Sequence, residues 1–314
     1  MLAEVLRRLL ATIPVMGVVA IAVFALLHVT PGDPAVIIAG DYATTDDIAR
    51  IRAKLGLDQP FHTQVAIWLG RVVRGDLGTS IFSGLPVSTL IGQRAATTIW
   101  LTLFAMLISV GVGVPIGVVA AWRKGSWLDR AVMVFAVSGF SMPTFWLGFI
   151  LVYLFAITAG WLPVQGYAPL AGGVGSFLSH LILPALTLAY VDWALILRVA
   201  RSSTLEVLNQ DYMRTARAKG LSNRLVIYRH ARPNAMIPVI TIGGLLLVGL
   251  LNGVVITETV FNFHGMGLFA ASSALNFDAV SVLGVALLAG ALLVVANLVV
   301  DVLYRYLDPR IELE

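Results

Sequence analysis

One carboxylate in this sequence is placed where it could take part in chemistry. Asp192 lies inside a long apolar stretch, in the run Leu188-Ala189-Tyr190-Val191-Asp192-Trp193. If that stretch spans a membrane, an ionisable side chain there is costly and usually marks a functional site, so Asp192 must face protein or water. It could contact a cationic group of a substrate, or it could accept hydrogen bonds from a neighbouring subunit. The residues alone leave both roles open.

The familiar catalytic and nucleotide-binding patterns are missing from the sequence. It has no Gly-rich phosphate loop of the Walker type, no His-Glu-x-x-His pair and no Gly-x-Ser-x-Gly turn. It has no Cys, which excludes disulfides and thiolate metal sites. The five His are scattered near the ends of apolar stretches, where polar interface residues are common. We therefore expect a protein that is not an enzyme and that binds no metal or cofactor itself.

The composition excludes an ordinary soluble enzyme. Of 314 residues, 59% are hydrophobic and 12% are charged, against about 25% charged in an average soluble domain. A soluble fold of this size could not bury so many apolar side chains, and large exposed apolar patches aggregate. An all-α integral membrane protein remains, since each spanning helix needs about 20 mainly apolar residues. Six stretches qualify: residues 9–29, 97–122, 131–159, 177–197, 235–256 and 279–303.

The distribution of Lys and Arg sets the orientation of these six spans. With the N-terminus in the cytoplasm, 15 of the 21 basic residues lie inside and six lie outside, all six in one long segment. Cytoplasmic loops carry the excess of Lys and Arg, and long translocated segments obey this rule weakly. The sequence therefore predicts six transmembrane helices with both termini inside.

Three regions follow from this topology: an N-terminal transmembrane helix (1–30), an extracytoplasmic segment (31–95) and a five-helix core (96–314). In the extracytoplasmic segment, Thr44-Thr45-Asp46-Asp47 predicts a helix start and Gly56 its end. A second amphipathic stripe runs from Val65 to Val72. We expect these helices to lie on the membrane surface or on the bundle itself, with contact to a substrate or receptor as the alternative.

The cytoplasmic loop 201–233 of the core is too polar to span a membrane and too regular to be a plain linker. Apolar residues from Leu205 to Ala216 recur at helical spacing, and Lys219-Gly220 forms a good helix end. A second helix is predicted from Arg224 to Arg232, ending before Pro233. The spacing indicates a compact helix-turn-helix on the inner face of the membrane, typical of a docking element.

A second loop of interest precedes the last span. Residues 258–267 hold two Gly two positions apart with aromatic neighbours, which predicts a tight re-entrant turn at the outer face. Irregular backbone at membrane depth is tolerated only against protein or in a watery cavity. A loop in the mouth of a pore fits that requirement.

The residues considered so far describe a membrane pathway without its own source of energy, and they leave three interpretations open. The first is a permease driven by a partner at the cytoplasmic face. The second is an ion-gradient-driven secondary carrier that uses Asp192, although such carriers usually show relays of ionisable groups or inverted repeats. The third is a membrane enzyme or passive scaffold, against which the missing catalytic residues count.

The cytoplasmic loop resembles that of ABC importer permeases, in the version found in the dipeptide, oligopeptide and nickel importer branch. The matching run is Asp211-Tyr212-Met213-Arg214-Thr215-Ala216-Arg217-Ala218-Lys219-Gly220-Leu221, in which Arg214 stands where the wider family has Glu. Seven further segments resemble the B-type permease of that branch, in the same order along nearly the whole chain: residues 30–34, 55–60, 74–80, 141–146, 258–261, 265–267 and 301–304.

This resemblance implies a type I ABC importer permease fold, in a multi-pass protein of the bacterial inner membrane. It implies a second, homologous C-type permease, two ATP-binding subunits that hold ATP and Mg²⁺, and an extracytoplasmic substrate-binding protein; nucleic acid has no part. The expected residues of coupling to the ATPase are Leu208, Asp211, Tyr212, Thr215, Ala216, Lys219 and Gly220. The expected residues of the translocation pathway are Asp192, Glu258 and Phe261.

The resemblance does not fix the substrate. Di- and oligopeptides are the first expectation, while nickel, glutathione and sugars also occur in the branch. It also leaves open whether the two ATPase subunits are identical.

Overall fold

A computed structural model describes residues 13–25, 34–40, 43–56, 58–222 and 225–307. About 80% of the chain is helical, and the described residues form no β-strand. The predicted all-α class is therefore confirmed. Arg7, Arg8 and most of the motif at residues 30–34 lie outside the described residues.

The helices are numbered here in chain order. They are α1 (Ile13–Ala25), α2 (Pro34–Ala39), α3 (Thr45–Leu55), α4 (Phe61–Val73), α5 (Val87–Trp122), α6 (Trp127–Ser141), α7 (Thr144–Leu151), α8 (Val174–Leu208), α9 (Asp211–Ala218), α10 (Arg232–Val260), α11 (Met266–Leu275) and α12 (Ala279–Leu307). Two π-helical turns extend this set, at Val152–Thr158 after α7 and at Val226–Ala231 before α10.

Three helices within the described ranges are long and apolar enough to cross a membrane: α5, α8 and the Ala279–Val300 part of α12. The bent pair formed by α6 and α7 with its π-helical turn could supply a fourth span. Helix α10 covers the fifth predicted span with 29 residues, and α1 covers the described part of the first. The count of six spans and their orientation stay predictions.

The third predicted span, residues 131–159, is broken rather than continuous. Helix α6 ends at Ser141, Met142 is extended (φ −99°, ψ 124°), and α7 begins after Pro143. The ring of a proline disfavours the helical conformation in the residue before it. Pro115, Pro184 and Pro238, by contrast, lie within continuous helices.

The described chain forms two compact units, residues 1–98 with 264–295 and residues 99–263 with 296–314. The first unit contains the predicted extracytoplasmic helices. The Thr44 hydroxyl accepts a hydrogen bond from the backbone N–H of Asp47, and the Asp47 carboxylate accepts one from the backbone N–H of Thr44. Gly56 ends α3 at φ +70°. The hydrogen bond from the Thr44 hydroxyl lowers the pKa of Asp47 below its usual value. The predicted start and end of this helix are confirmed.

Helix α4 of the first unit packs on the chain itself. Val65 is buried, and with Trp68 it joins an apolar cluster that contains Phe24 of α1 and Leu283 of α12. The amphipathic stripe is thus covered within this unit, as one of the two alternatives expected. The three-region division by side of the membrane stays a prediction.

The second unit is built around α8. Sixteen residues of this helix are buried, and they pack against the part of α5 after residue 98, against α6 and α7, and against α10. Small residues permit close approach: a Cβ at Gly117 would lie 2.6 Å from the Leu197 carbonyl oxygen, and one at Gly139 would lie 2.6 Å from the Ala194 Cβ. Helix α8 is thus held firmly by its neighbours, and its last residues enter the loop 201–233.

Candidate functional site

The loop 201–233, which is predicted to be cytoplasmic, folds as two short helical pieces joined to two long helices. Helix α8 runs to Leu208, a turn at Asn209 and Gln210 follows, and α9 spans Asp211–Ala218. Gly220 takes φ +80°, the left-handed conformation that commonly ends a helix. The predicted helix end is confirmed, but the prediction of one helix from Leu205 to Ala216 is wrong because the chain turns after Leu208.

The second predicted helix of the loop also differs from the structure. A π-helical turn at Val226–Ala231 continues directly into α10, so the helix does not end before Pro233. Pro233 occupies one of the first positions of α10, directly after the π-helical turn. Arg224 lies outside the described residues.

One face of α9 packs on the loop itself. Met213 is fully buried and Ala216 is 7% exposed. They belong to an apolar cluster, called here the loop core, formed by Val207, Met213, Ala216, Val226, Ala231 and Ala235. Leu208 packs against this cluster from its edge. Two of the residues expected to dock, Leu208 and Ala216, therefore contact their own chain.

The opposite face of α9 is exposed and polar. Five of the residues expected to dock lie there or just after the helix: Asp211, Tyr212, Thr215, Lys219 and Gly220. Arg214 lies on the same face, where its side chain reaches within 3.5 Å of Asp211 as an exposed ion pair. Exposed pairs of this kind contribute little to stability. The fold therefore fixes α9 by its apolar face and leaves its polar face free of contacts within the loop core.

Two hydrogen bonds join this loop to the start of α10. The Asn234 side-chain amide donates to the Tyr212 hydroxyl at 3.0 Å. The Ser203 hydroxyl, buried near the end of α8, donates to the Ala235 carbonyl at 2.8 Å. Helices α8, α9 and α10 are thus connected within one small region.

The three residues expected to form the translocation pathway are all buried in the second unit. Asp192 is 8% exposed, and its Oδ2 makes no hydrogen bond within the described residues. Glu258 is fully buried on α10, and Phe261 lies in the largest apolar cluster of this unit. Their part in a translocation pathway stays a prediction.

The segment after α10 makes the predicted turn in a different way. Residues 261–265 turn without helix, and the left-handed residue is Asn262 (φ 50°), not either glycine. Gly267 lies inside α11, a ten-residue helix that the sequence interpretation did not include. The apolar residues between the turn and Asp278 could have predicted this helix from the sequence.

Two buried carboxylates with strong partners were also missed. Asp129 pairs with Arg201, and Asp278 caps α12. Ser126-x-x-Asp129 follows the pattern of a helix N-terminal capping box, so this signal was present in the sequence.

Within the described residues, no group of three His, Asp or Glu side chains could hold a metal ion.

Comparison with known proteins decides the family. Residues 113–313 match the family "Binding-protein-dependent transport system inner membrane component", and residues 1–102 match the N-terminal family of the same components. The chain belongs to this family. The resemblance to peptide-type ABC importer permeases is thereby confirmed. The chain is a permease subunit, not an enzyme, and ATP hydrolysis belongs to separate subunits.

Relatives match over almost their whole length. The chain is 47% identical to "Probable peptide ABC transporter permease protein y4tP" of Sinorhizobium fredii, covering 98% of both chains. It is 40% identical to the dipeptide permease DppB of Alkalihalophilus pseudofirmus, covering 99% of this chain and 100% of the relative. It is 43% identical to the glutathione permease GsiC of Salmonella choleraesuis, covering 99% of both.

Solved structures show the same fold at low identity. A chain of the inward-facing MetNI methionine ABC transporter superposes with a TM-score of 0.55 at 17% identity, covering 70% of this chain and 96% of that one. A chain of an amino acid ABC transporter gives a TM-score of 0.53 at 14% identity, covering 70% and 94%. The ABC importer permease fold predicted from the sequence is therefore confirmed.

Proposed function

We propose that this permease forms half of a pathway for short peptides across a bacterial inner membrane. Its relatives are named for peptides, for dipeptides and for glutathione, which is itself a peptide. Peptides are thus the common chemical class, which favours them over nickel or sugars. The partners are a homologous second permease, two ATPase subunits that bind ATP and Mg²⁺, and an extracytoplasmic binding protein. Family membership favours this function over an ion-gradient carrier.

The coupling role is supported by the packing of α9, which has one buried face and one exposed face. Its apolar face is fixed in the loop core, and its polar face is exposed with Tyr212 at 42%. A short helix held rigidly from one side can transmit force to its own chain when a partner binds the other side. Asp211, Tyr212, Thr215, Lys219 and Gly220 would contact the ATPase, while Leu208 and Ala216 would hold the helix in place.

Co-purification with the ATPase subunits tests this assignment. Thr215→Trp adds bulk on the exposed face of α9 without entering the loop core. Thr89→Trp is the matched control, because Thr89 is an exposed threonine at the start of α5, in the first unit and not in the loop. We expect Thr215→Trp to reduce both the recovered ATPase and the uptake of peptides, and Thr89→Trp to leave the ATPase bound.

Equal recovery and uptake in the two variants would contradict docking at α9. The substrate is tested separately, by purifying the extracytoplasmic binding protein that works with this permease and identifying its bound ligand by mass spectrometry. A peptide supports the proposal, and a metal ion or a sugar would refute it.

A further inference from the structure

The second unit also contains a largely buried ion pair near the end of α8. Arg201, near the end of α8, donates two hydrogen bonds to Asp129, near the start of α6: Nε to Oδ1 at 2.5 Å and Nη2 to Oδ2 at 2.9 Å. The side chains are 21% and 6% exposed. Bidentate geometry with little exposure distinguishes this pair from the surface pairs elsewhere in the chain.

Asp129 also fixes the turn that precedes it. Its Oδ2 accepts a hydrogen bond from the Gly125 N–H at 3.0 Å, and its own N–H donates to the Ser126 hydroxyl. Gly125 takes φ +81°, which the turn between α5 and α6 requires. The Asp129 carboxylate therefore connects the Arg201 side chain to the turn of residues 123–129.

Arg201 lies where α8 packs closely against α5. A Cβ on Gly117 of α5 would lie 3.1 Å from the Arg201 backbone nitrogen. Two residues further along α8, Ser203 bonds to Ala235 of α10, beside the Asn234 that bonds to Tyr212 of α9. The ion pair thus joins the turn between α5 and α6 to the same helix end that carries the coupling loop.

We propose that Asp129 and Arg201 are positioning residues for coupling, which make the turn 123–129 move together with α8 and α9 when the ATPases act. This inference rests on the proposed docking role of α9 and extends it to a second cytoplasmic turn. Without the pair, movement of α9 would still reach α10 through Tyr212 and Ser203, but the turn between α5 and α6 would no longer be fixed to α8.

The test separates coupling from stability with three variants of the complete transporter. Arg201→Gln and Asp129→Asn each leave a buried partner without its counter-charge, which lowers stability as well as any coupling. The double variant leaves no unpaired charge, so its amount in the membrane returns towards wild type. We expect the double variant to import at least about fivefold less alanyl-alanine per ATP hydrolysed in proteoliposomes. Ser126→Ala is the control, because it weakens the same turn without touching the pair.

A second measurement follows the turn directly. The chain has no Cys, so Lys124→Cys and Glu206→Cys place two spin labels on the turn and on α8. We expect one narrow distance with and without ATP in the otherwise unchanged transporter, and a broad or shifted distance in the double variant.

Two results would overturn the inference. The first is normal import per ATP in the double variant with its amount restored, because the pair would then be structural only. The second is a distance that is unaffected by loss of the pair. If Thr215→Trp still uncouples the transporter in these assays, docking at α9 stands while the positioning role fails; if it too is without effect, both fail.

Discussion

The Ser80 hydroxyl donates a 2.5 Å hydrogen bond to the Asp278 carboxylate, 198 residues later in the chain. Asp278 is 2% exposed and also accepts the backbone N–H groups of Ile81 and Ser281 and the Ser281 hydroxyl. One carboxylate thus caps α12 and fixes the turn that precedes α5. A buried charge is tolerated here because hydrogen-bond donors surround it.

Removal of the Ser80 hydroxyl should destabilise the first unit. Ser80→Ala leaves Asp278 with one donor fewer in a buried site, which costs about 1–3 kcal/mol. Ser83→Ala is the control in the same turn, because Ser83 is exposed and its hydroxyl only accepts a long bond from Leu85. Thermal unfolding of the purified protein should show a lower midpoint for Ser80→Ala than for Ser83→Ala. Equal midpoints would show that the bond does not stabilise the fold.

Gly75 and Gly78, in the segment before α5, allow the cost of backbone strain to be measured apart from the cost of side-chain crowding. Gly75 and Gly78 both take positive φ, at +79° and +85°, but only Gly78 is crowded: a Cβ there would lie 2.7 Å from Val280 Cγ1. Gly75→Ala should cost only the left-handed strain, about 1–2 kcal/mol. Gly78→Ala should cost more, because the Val280 side chain or α12 must also move, and it should reduce the amount of protein in the membrane. Similar unfolding midpoints for the two variants would contradict the close approach.

Substitution by Asn should have opposite effects on stability at Asp278 and at Asp192, two buried aspartates with different surroundings. Asp278→Asn weakens a capped site with four donors, so it should lower stability. Asp192→Asn removes a buried charge whose Oδ2 has no hydrogen bond within the described residues, so it should leave stability unchanged or raise it. Unfolding midpoints measure both, and a loss of stability in Asp192→Asn would reveal a bonded carboxylate.

The same Asp192→Asn variant tests the pathway prediction. If Asp192 contacts a cationic peptide group, uptake should fall in affinity or rate while the amount of protein stays normal. Wild-type uptake would exclude the substrate role and leave contact with a neighbouring subunit as the alternative.

How far the sequence predicted the structure depends on the range of the interactions involved. Local patterns predicted the helix start at Thr44, the helix ends at Gly56 and Gly220 and the amphipathic stripe of α4, and each is confirmed. Helix breaks were harder. The break at Met142 precedes Pro143, whereas Pro115 and Pro184 leave their helices intact, so the presence of a proline alone does not decide where a helix breaks.

Long-range contacts were beyond the sequence interpretation. Asp129 and Arg201 are 72 residues apart, and Ser80 and Asp278 are 198 apart, so only the fold shows which donors reach which carboxylate. The same limit applies to α9: spacing predicted a helix but not which of Tyr212 and Ala216 faces outward. Sidedness of a short helix depends on what packs against it.

The difference between the buried and exposed faces of α9 gives a prediction for two alanines of this helix. Ala216 is 7% exposed in the loop core, while Ala218 on the same helix is exposed. Ala216→Trp should overpack the core by about 1–3 kcal/mol and reduce the amount of folded permease. Ala218→Trp should leave the amount unchanged and instead reduce ATPase recovered on co-purification. Membrane amount and bound ATPase, measured together for both variants, decide between the two faces. Normal membrane amounts of Ala216→Trp with loss of the ATPase would mean that Ala216 faces the partner and that α9 is packed the other way round.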